Sequence, residues 1–261
     1  MPALLFSSLA GCAQLPDSAW QQLKQAQRDY DNRAYHVAEG KLDAVLKKYS
    51  GRGVPLHEGE PAFAAEAYYL RSLCYTKLSN KARAESDARH CLKLSKDPKL
   101  TARAHATLAT LLYETNRIKE ALPHFAEALK GLPEKPPTDL LRYRFGLCLQ
   151  RENHWKEARL QFAAVFQRYP KGSPAQHAKR LYDWTHDYYS IQCGAFREKG
   201  KAAKLERRLK RAGLPSRVES LPRSGELLYM VYVGQYPRYE QARDALSSVQ
   251  RHISDAIVMP Q

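Results

Sequence analysis

The feature that most constrains the fold is an internal repeat of 37 residues in the first two thirds of the chain. Ala84, Ala121 and Ala158 stand at this spacing. A small residue precedes each alanine by twelve positions and an apolar residue follows it by four, where two antiparallel helices would pack closely. Each repeat is therefore predicted to be a helix hairpin, and such hairpins bury a core by stacking on one another. The positions that recur are Ser72, Ala109 and Gly146, then Ala88, Phe125 and Phe162, and then Cys91, Ala128 and Val165.

The ends of the array follow from the same pattern. Pro133 and Pro170 are predicted to end the second helices of two hairpins, because proline cannot continue a helix interior. A weaker fourth copy comes first in the chain, and residues 51–61 lengthen its loop. A helix over residues 173–187 is predicted to cap the array, with its apolar side formed by Ala178, Leu181 and Trp184.

Across residues 17–171 this pattern resembles the tetratricopeptide repeat family. The resemblance implies an all-α solenoid of helix hairpins whose concave surface holds a peptide or a partner protein. The usual period of the family is about 34 residues, and the extra residues here fall in loops such as residues 134–138. With the capping helix, this domain is expected to cover residues 17–187. No motif identifies the residues that line its groove.

After Asp187 the hydrophobic period changes from helical to alternating. Two similar strand segments lie 40 residues apart, and each is followed by a basic amphipathic helix and a second short strand. A doubled unit of this kind predicts a small α+β sandwich over residues 188–261, with a four-stranded antiparallel sheet and two helices on one face. The predicted strands cover residues 189–196, 216–221, 229–236 and 255–259, and the predicted helices cover residues 201–212 and 239–252.

Alternation also predicts which side chains leave the core. If Ile191, Cys193, Val231 and Val233 face the helices, their neighbours along the strands face the open side of the sheet. A sheet face with a tyrosine and an amide suits a sugar chain, since aromatic rings stack on sugar rings and amides hydrogen-bond their substituents. The candidate binding residues are Ser190, Gln192, Met230 and Tyr232.

The strand Tyr189–Phe196, the pair Ala212 and Gly213, and the second strand with Val233 and Gly234 resemble the SPOR (sporulation-related repeat) domain over about residues 188–261. The resemblance implies the four-stranded sandwich and binding of bacterial peptidoglycan, in particular septal glycan strands stripped of their peptide stems. It also implies that Gln192 binds glycan, whereas Tyr232 follows from the alternation alone. Stripped strands expose lactyl carboxylates, and this part of the chain carries 13 Lys and Arg against 7 Asp and Glu.

The third strand departs from the family. SPOR domains often carry arginine where this chain has Met230 and Tyr232. The chain is therefore either a glycan-binding protein in which stacking replaces charge, or a protein-interaction scaffold whose SPOR-like domain no longer binds glycan. A net charge of +15 and the tyrosines of the sheet leave RNA binding as a third, less favoured alternative.

The first twelve residues end in Leu9-Ala10-Gly11-Cys12 after a short apolar run. This segment resembles the lipobox of bacterial lipoproteins, which implies a signal over residues 1–12 and lipidation of Cys12. The chain would then be a periplasmic, outer-membrane lipoprotein of the cell envelope. A secretory signal normally begins with Lys or Arg, and this segment has neither. The true start therefore lies upstream, or the likeness is accidental.

No sequence signature of catalysis, metal binding or a cofactor is found. The four later cysteines lie in apolar patterns, without zinc spacing. The sequence contains no HExxH, GxSxG or phosphate-loop motif. The histidines of the array are spread along its helices without partners at ligand spacing: His90, His105, His124, His154 and His177. We therefore predict a non-catalytic envelope protein that binds peptidoglycan and recruits an unidentified envelope or division protein.

Overall fold

The computed structural model describes residues 15–50, 61–183, 186–223 and 225–260. The chain divides into two compact units, one ending at Pro133 and the other beginning at Glu134. Of the segments singled out in the sequence, residues 1–12 with Cys12 and residues 51–60 of the loop insertion lie outside the described residues. No helix of the described residues is long and apolar enough to cross a membrane.

Eight helices of the described residues form four consecutive hairpins, as predicted. In the first unit these are α1 (Asp17–Asp31) with α2 (Tyr35–Ser50), α3 (Pro61–Lys77) with α4 (Lys81–Leu94), and α5 (Pro98–Glu114) with α6 (Ile118–Gly131). In the second unit α7 (Thr138–Arg151) pairs with α8 (Trp155–Arg168), and α9 (Ala175–Tyr182) packs on α8.

The repeated small residues lie where the two helices of a hairpin meet. Ala84, Ala121 and Ala158 are buried, and a Cβ added at Gly146 would lie 2.5 Å from the ring of Phe162. Only glycine lets the second helix of that hairpin approach so closely. The turns repeat as well, since one residue of each adopts a left-handed backbone at the same 37-residue spacing: Ser79, Asn116 and Asn153.

Ion pairs connect neighbouring hairpins of the first unit. Arg71 on α3 donates to both carboxylate oxygens of Asp87 on α4, at 2.6 and 2.8 Å, and to Asp43 on α2 at 2.6 Å. Asp87 is buried, and these hydrogen bonds raise the pKa of Arg71 despite its desolvation. A buried charge left without its partner is costly, so the network favours one register between the first two hairpins.

The capping helix is shorter than the sequence predicts. α9 ends at Tyr182, and Asp183 follows it as the C-cap residue. Ala178 is buried as expected and Leu181 is half-buried, while Trp184 lies outside the described residues. The first strand begins at Tyr189, seven residues after the last residue of α9.

The C-terminal part has the predicted sandwich fold. Its elements are β1 (Tyr189–Phe196), α10 (Lys199–Arg211), β2 (Ser216–Arg223), β3 (Glu226–Tyr236), α11 (Tyr239–Gln250) and β4 (Ile257–Pro260). The strand order is β2-β3-β1-β4, and every neighbouring pair is antiparallel. Both helices pack on one face of the sheet, on a core that includes Ile191, Cys193, Ala202, Leu209, Val231, Val233 and Val249.

The last hairpin packs directly on this sandwich, within the second unit. Trp155, the first residue of α8, is buried with Ala242 of α11 and with Tyr189 of β1, whose ring centroid lies 5.0 Å away. Arg151 at the end of α7 donates to Glu240 at 2.6 Å, and its guanidinium lies 4.4 Å from the ring centroid of Tyr239. The hairpin and the sandwich therefore share a core, and a domain boundary at residue 188 stays a prediction.

We expect Trp155→Ala to loosen the first strand of the sandwich as well as the hairpin. Removing a buried Trp costs about 3–5 kcal/mol, which corresponds to at least a hundredfold loss of protection if β1 opens with the hairpin. Hydrogen exchange of the amides in Tyr189–Phe196, followed by mass spectrometry, measures this. Leu160→Ala on the same helix is the control, because Leu160 is 68% exposed. Unchanged exchange in the Trp155 variant would show that the strand does not depend on the hairpin.

Candidate functional site

The sheet face opposite the helices carries a row of four side chains that crosses every strand. Arg217 on β2 pairs with Tyr232 on β3. Tyr232 pairs with Gln192 on β1, and Gln192 pairs with Ile257 on β4. Directly paired residues lie on the same face of an antiparallel sheet. We call this set of four residues the outer row.

The predicted candidates all lie on this outer side but differ in exposure. The core contains Ile191, Cys193, Val231 and Val233, which confirms the alternation. Gln192 is half-buried, and Ile257 at the edge is 50% exposed. The other three candidates are nearly closed to solvent, with exposed fractions of 0% for Ser190, 2% for Met230 and 3% for Tyr232.

Arg217 accounts for part of that closure. Its guanidinium carbon lies 5.3 Å from the ring centroid of Tyr232 and 5.4 Å from that of Tyr188. The same side chain donates to Ser190 Oγ at 3.0 Å and forms an ion pair with Glu219 at 2.6 Å. An arginine packed on aromatic rings gains a cation–π attraction, so these contacts together hold the guanidinium over Tyr232 on the outer side of the sheet.

Arg217 is the residue that the sequence analysis missed. The third strand has no arginine at Met230 or Tyr232, yet the register places Arg217 of the second strand beside Tyr232. The alternating pattern of the second strand indicates its outward positions. The structure agrees with this pattern, since Ser216 is buried and Val218 packs on the core. Alternation along β2 therefore predicts that Arg217 and Glu219 point outward.

The aromatic residues that follow the strand glycines pack inward. Phe196 and Tyr236 both pack against the sandwich core. A Cβ added at Gly234 would lie 2.3 Å from the Tyr236 ring, and one added at Gly194 would lie 2.8 Å from that of Phe196. Each ring thus covers its glycine, and neither contributes to the outer row.

The cysteines of the described residues have the character of core residues. Cys74, Cys91, Cys148 and Cys193 are free and buried. Burial raises the pKa of the first three thiols to about 12 and that of Cys193 to about 11. A thiol must ionise to act as a nucleophile, so these side chains are poorly suited to catalysis at neutral pH.

Two histidines of the array meet in space although they are not at ligand spacing in the sequence. Nδ1 of His105 on α5 lies 2.8 Å from Nδ1 of His124 on α6, because the hairpin brings together positions 19 residues apart. Burial, followed by the charges of His105 and Arg89, lowers the pKa of His124 to about 4. No group of three or more His, Cys, Asp or Glu suited to a metal occurs in the part of the chain that the structure describes.

Comparison with protein-family models identifies both modules. Residues 185–260 match the SPOR domain and residues 65–98 match a tetratricopeptide repeat. The chain therefore carries a tetratricopeptide-type array and a C-terminal SPOR domain. SPOR domains bind peptidoglycan, tetratricopeptide repeats bind proteins, and both are non-catalytic binding modules. No curated protein matches the chain.

Solved structures support the helical part. YrrB, described as a TPR protein with an unusual peptide-binding site, is 23% identical with a TM-score of 0.50, covering 62% of this chain and 74% of its own. A MamA RS-1 double mutant is 16% identical with a TM-score of 0.51, and MamA from Desulfovibrio magneticus RS-1 is 18% identical with a TM-score of 0.50. Each MamA match covers 64% of this chain and 85% of the other. At these identities the likeness shows the shared helical-repeat fold.

The histidine pair gives a pH prediction for the array. Because the pKa of His124 falls from 6.5 to about 4 on folding, the unfolded chain binds more protons between those values. The contribution of this group to stability therefore decreases as the pH falls from 6.5 to 4. NMR titration should give a His124 midpoint near 4, and His105→Asn should move that midpoint upward by removing a neighbouring charge. A midpoint of 6.5 in the unmodified protein would contradict the buried pairing.

Proposed function

We propose that this chain is a non-catalytic cell-envelope protein that binds glycan strands of peptidoglycan on the outer row of its SPOR domain and recruits a protein through its helical hairpins. The observation that supports it best is the continuity of the outer row across all four strands. Cell division or cell-wall remodelling is the process that such a pair of modules serves. A lipid anchor on Cys12 would hold the protein at the periplasmic face of the outer membrane.

The dimensions of the outer row suit an extended sugar chain. Neighbouring strands lie about 4.8 Å apart, so four strands span about 14 Å from the first side chain to the last. A glycan lying across the strands would meet an apolar edge at Ile257, an amide at Gln192, and then the ring and guanidinium of Tyr232 and Arg217. These groups match the apolar faces, acetamido groups and carboxylates that a stem-stripped strand presents.

The exposure of the outer-row side chains determines which of them a glycan can reach first. Gln192 and Ile257 are accessible, whereas Tyr232 lies beneath Arg217. A sugar ring can therefore reach Gln192 directly, and stacking on Tyr232 requires the Arg217 side chain to swing aside. Since Glu219 already pairs with Arg217, a lactyl carboxylate must compete with Glu219 for the guanidinium. We propose Gln192 as the principal contact, with Tyr232, Ser190 and Met230 supporting the face.

We expect Gln192→Ala to weaken binding to peptidoglycan about tenfold, the effect of losing one or two hydrogen bonds to a ligand. Tyr232→Ala should weaken binding at least as much, because it removes the ring and the support of Arg217. Co-sedimentation of the full chain with purified peptidoglycan measures this. Binding should increase after an amidase removes the peptide stems. Gln176→Ala on the exposed side of α9 is the matched control and should bind as the unmodified protein does.

A second candidate function is supported by the burial of Ser190, Met230 and Tyr232. Because so little of the Tyr232 ring is exposed for stacking on a sugar, the chain could instead be a scaffold whose SPOR domain no longer binds glycan. Pelleting that is unchanged in both outer-row variants would overturn the assignment of the site. No pelleting of the folded, unmodified chain with either form of peptidoglycan would favour the scaffold instead.

A further inference from the structure

Helix α10 presents an unusually basic surface on the side of the sandwich away from the outer row. Its 13 residues include one acidic residue, Glu206. Ala202 and Leu209 are buried toward the sheet, and all the cations of the helix are exposed. We call these seven side chains the α10 cations: Lys199, Lys201, Lys204, Arg207, Arg208, Lys210 and Arg211.

Among the residues that the structure describes, two of the seven α10 cations have an acidic partner. Lys201 pairs with Glu198 and Lys210 with Glu206, both at 2.7 Å. For the other five, which lie close together on one helix, the described residues provide no ion pair. Like charges three or four residues apart destabilise a helix, so this surface has an electrostatic cost that an anionic partner would relieve.

The fold itself does not require a basic helix at this place. α11 occupies the equivalent position in the second half of the doubled unit and packs on the same face of the sheet. Its exposed Arg243 lies between two carboxylates, 2.8 Å from Glu240 and 3.6 Å from Asp244. α11 therefore has one arginine and two carboxylates and is not the basic helix that the sequence pattern predicts, whereas α10 has seven cations and one carboxylate.

We propose that the α10 cations dock the SPOR domain on an anionic phospholipid surface. A cluster of four to eight Lys and Arg on an amphipathic helix is attracted to anionic headgroups, and each cation strengthens binding about fivefold. The exposed side of α10 has no aromatic side chain on which nucleobases could stack, so a diffuse layer of phosphates fits it better than a single-stranded nucleic acid. The outer row stays free on the opposite face, so one domain can contact a bilayer and a glycan strand together.

The test uses the full chain with Cys12→Ser, so that no acyl anchor contributes. Co-sedimentation is measured with vesicles of equal parts phosphatidylglycerol and phosphatidylcholine, and with vesicles of phosphatidylcholine alone. We expect binding to the anionic vesicles alone. The triple variant Lys204→Ala, Arg208→Ala, Arg211→Ala should bind them about a hundredfold more weakly. The control is the triple variant Lys24→Ala, Lys119→Ala, Lys156→Ala, which changes the net charge by the same amount at exposed sites on other helices. Its binding to anionic vesicles should fall far less.

Any of three binding results would overturn this proposal, and a fourth comes from peptidoglycan pelleting. The three binding results are equal loss in the two triple variants, no binding of the unmodified chain to anionic vesicles, and tighter binding of a single-stranded oligonucleotide than of vesicles at equal phosphate concentration. Peptidoglycan pelleting of the same variants separates this test from that of the outer row. If the α10 variant lost peptidoglycan binding to the same degree as vesicle binding, the cations would serve the glycan, and the lipid proposal would be wrong.

Discussion

The alternation of side chains along a strand is the constraint on which the rest of the sandwich depends. Because successive residues point to opposite faces, the packing of Ile191 and Val231 under the helices fixes Gln192 and Tyr232 on the other side. A slip of one residue would exchange the core for the outer row. Register shifts interrupt the pairing of β1 with β3 between Tyr189 and Ile191 and between Gln192 and Gly194, and the regular pairs between them are Ile191 with Val233 and Gln192 with Tyr232. The hydrophobic core therefore determines the composition of the candidate binding face.

The hairpin of α7 and α8 also contacts β1, the strand that carries Gln192. Tyr189 packs on Trp155, and the next residue of the strand, Ser190, accepts a hydrogen bond from Arg217. The backbone that carries the outer side chains is thus held from the hairpin side as well as by the sheet. A protein that binds α7 or α8 would act on residues that contact the strand of Gln192. The second unit therefore has the physical connection through which recruitment and glycan binding could influence one another.

Whether a feature could be predicted from the sequence depends on how far apart in the chain the residues that determine it lie. Ala121 and Ala158 follow a local helical period, and Ile191 and Val233 follow a local strand period, so hairpins, strands and faces were predictable. The meeting of Arg217 with Tyr232, of Trp155 with Tyr189 and of His105 with His124 depends on register and packing between distant segments. Neither the helical nor the strand periodicity of the sequence predicts these contacts. The burial of Tyr232 was unpredictable for the same reason, since it depends partly on an arginine from another strand.

The two faces of the sandwich differ in how they use positive charge. On the outer face Arg217 is held in place by Glu219, Ser190 and two aromatic rings, and a guanidinium fixed in this way suits a ligand of defined shape. On α10 seven cations lie close together, and five of them have no ion pair among the described residues, which suits an extended anionic surface without fixed geometry. A glycan strand has a defined sequence of rings and substituents, whereas a bilayer has a mobile layer of headgroups. The distribution of charge on the two faces therefore suits the two partners proposed above, a glycan strand on the outer row and a bilayer on α10.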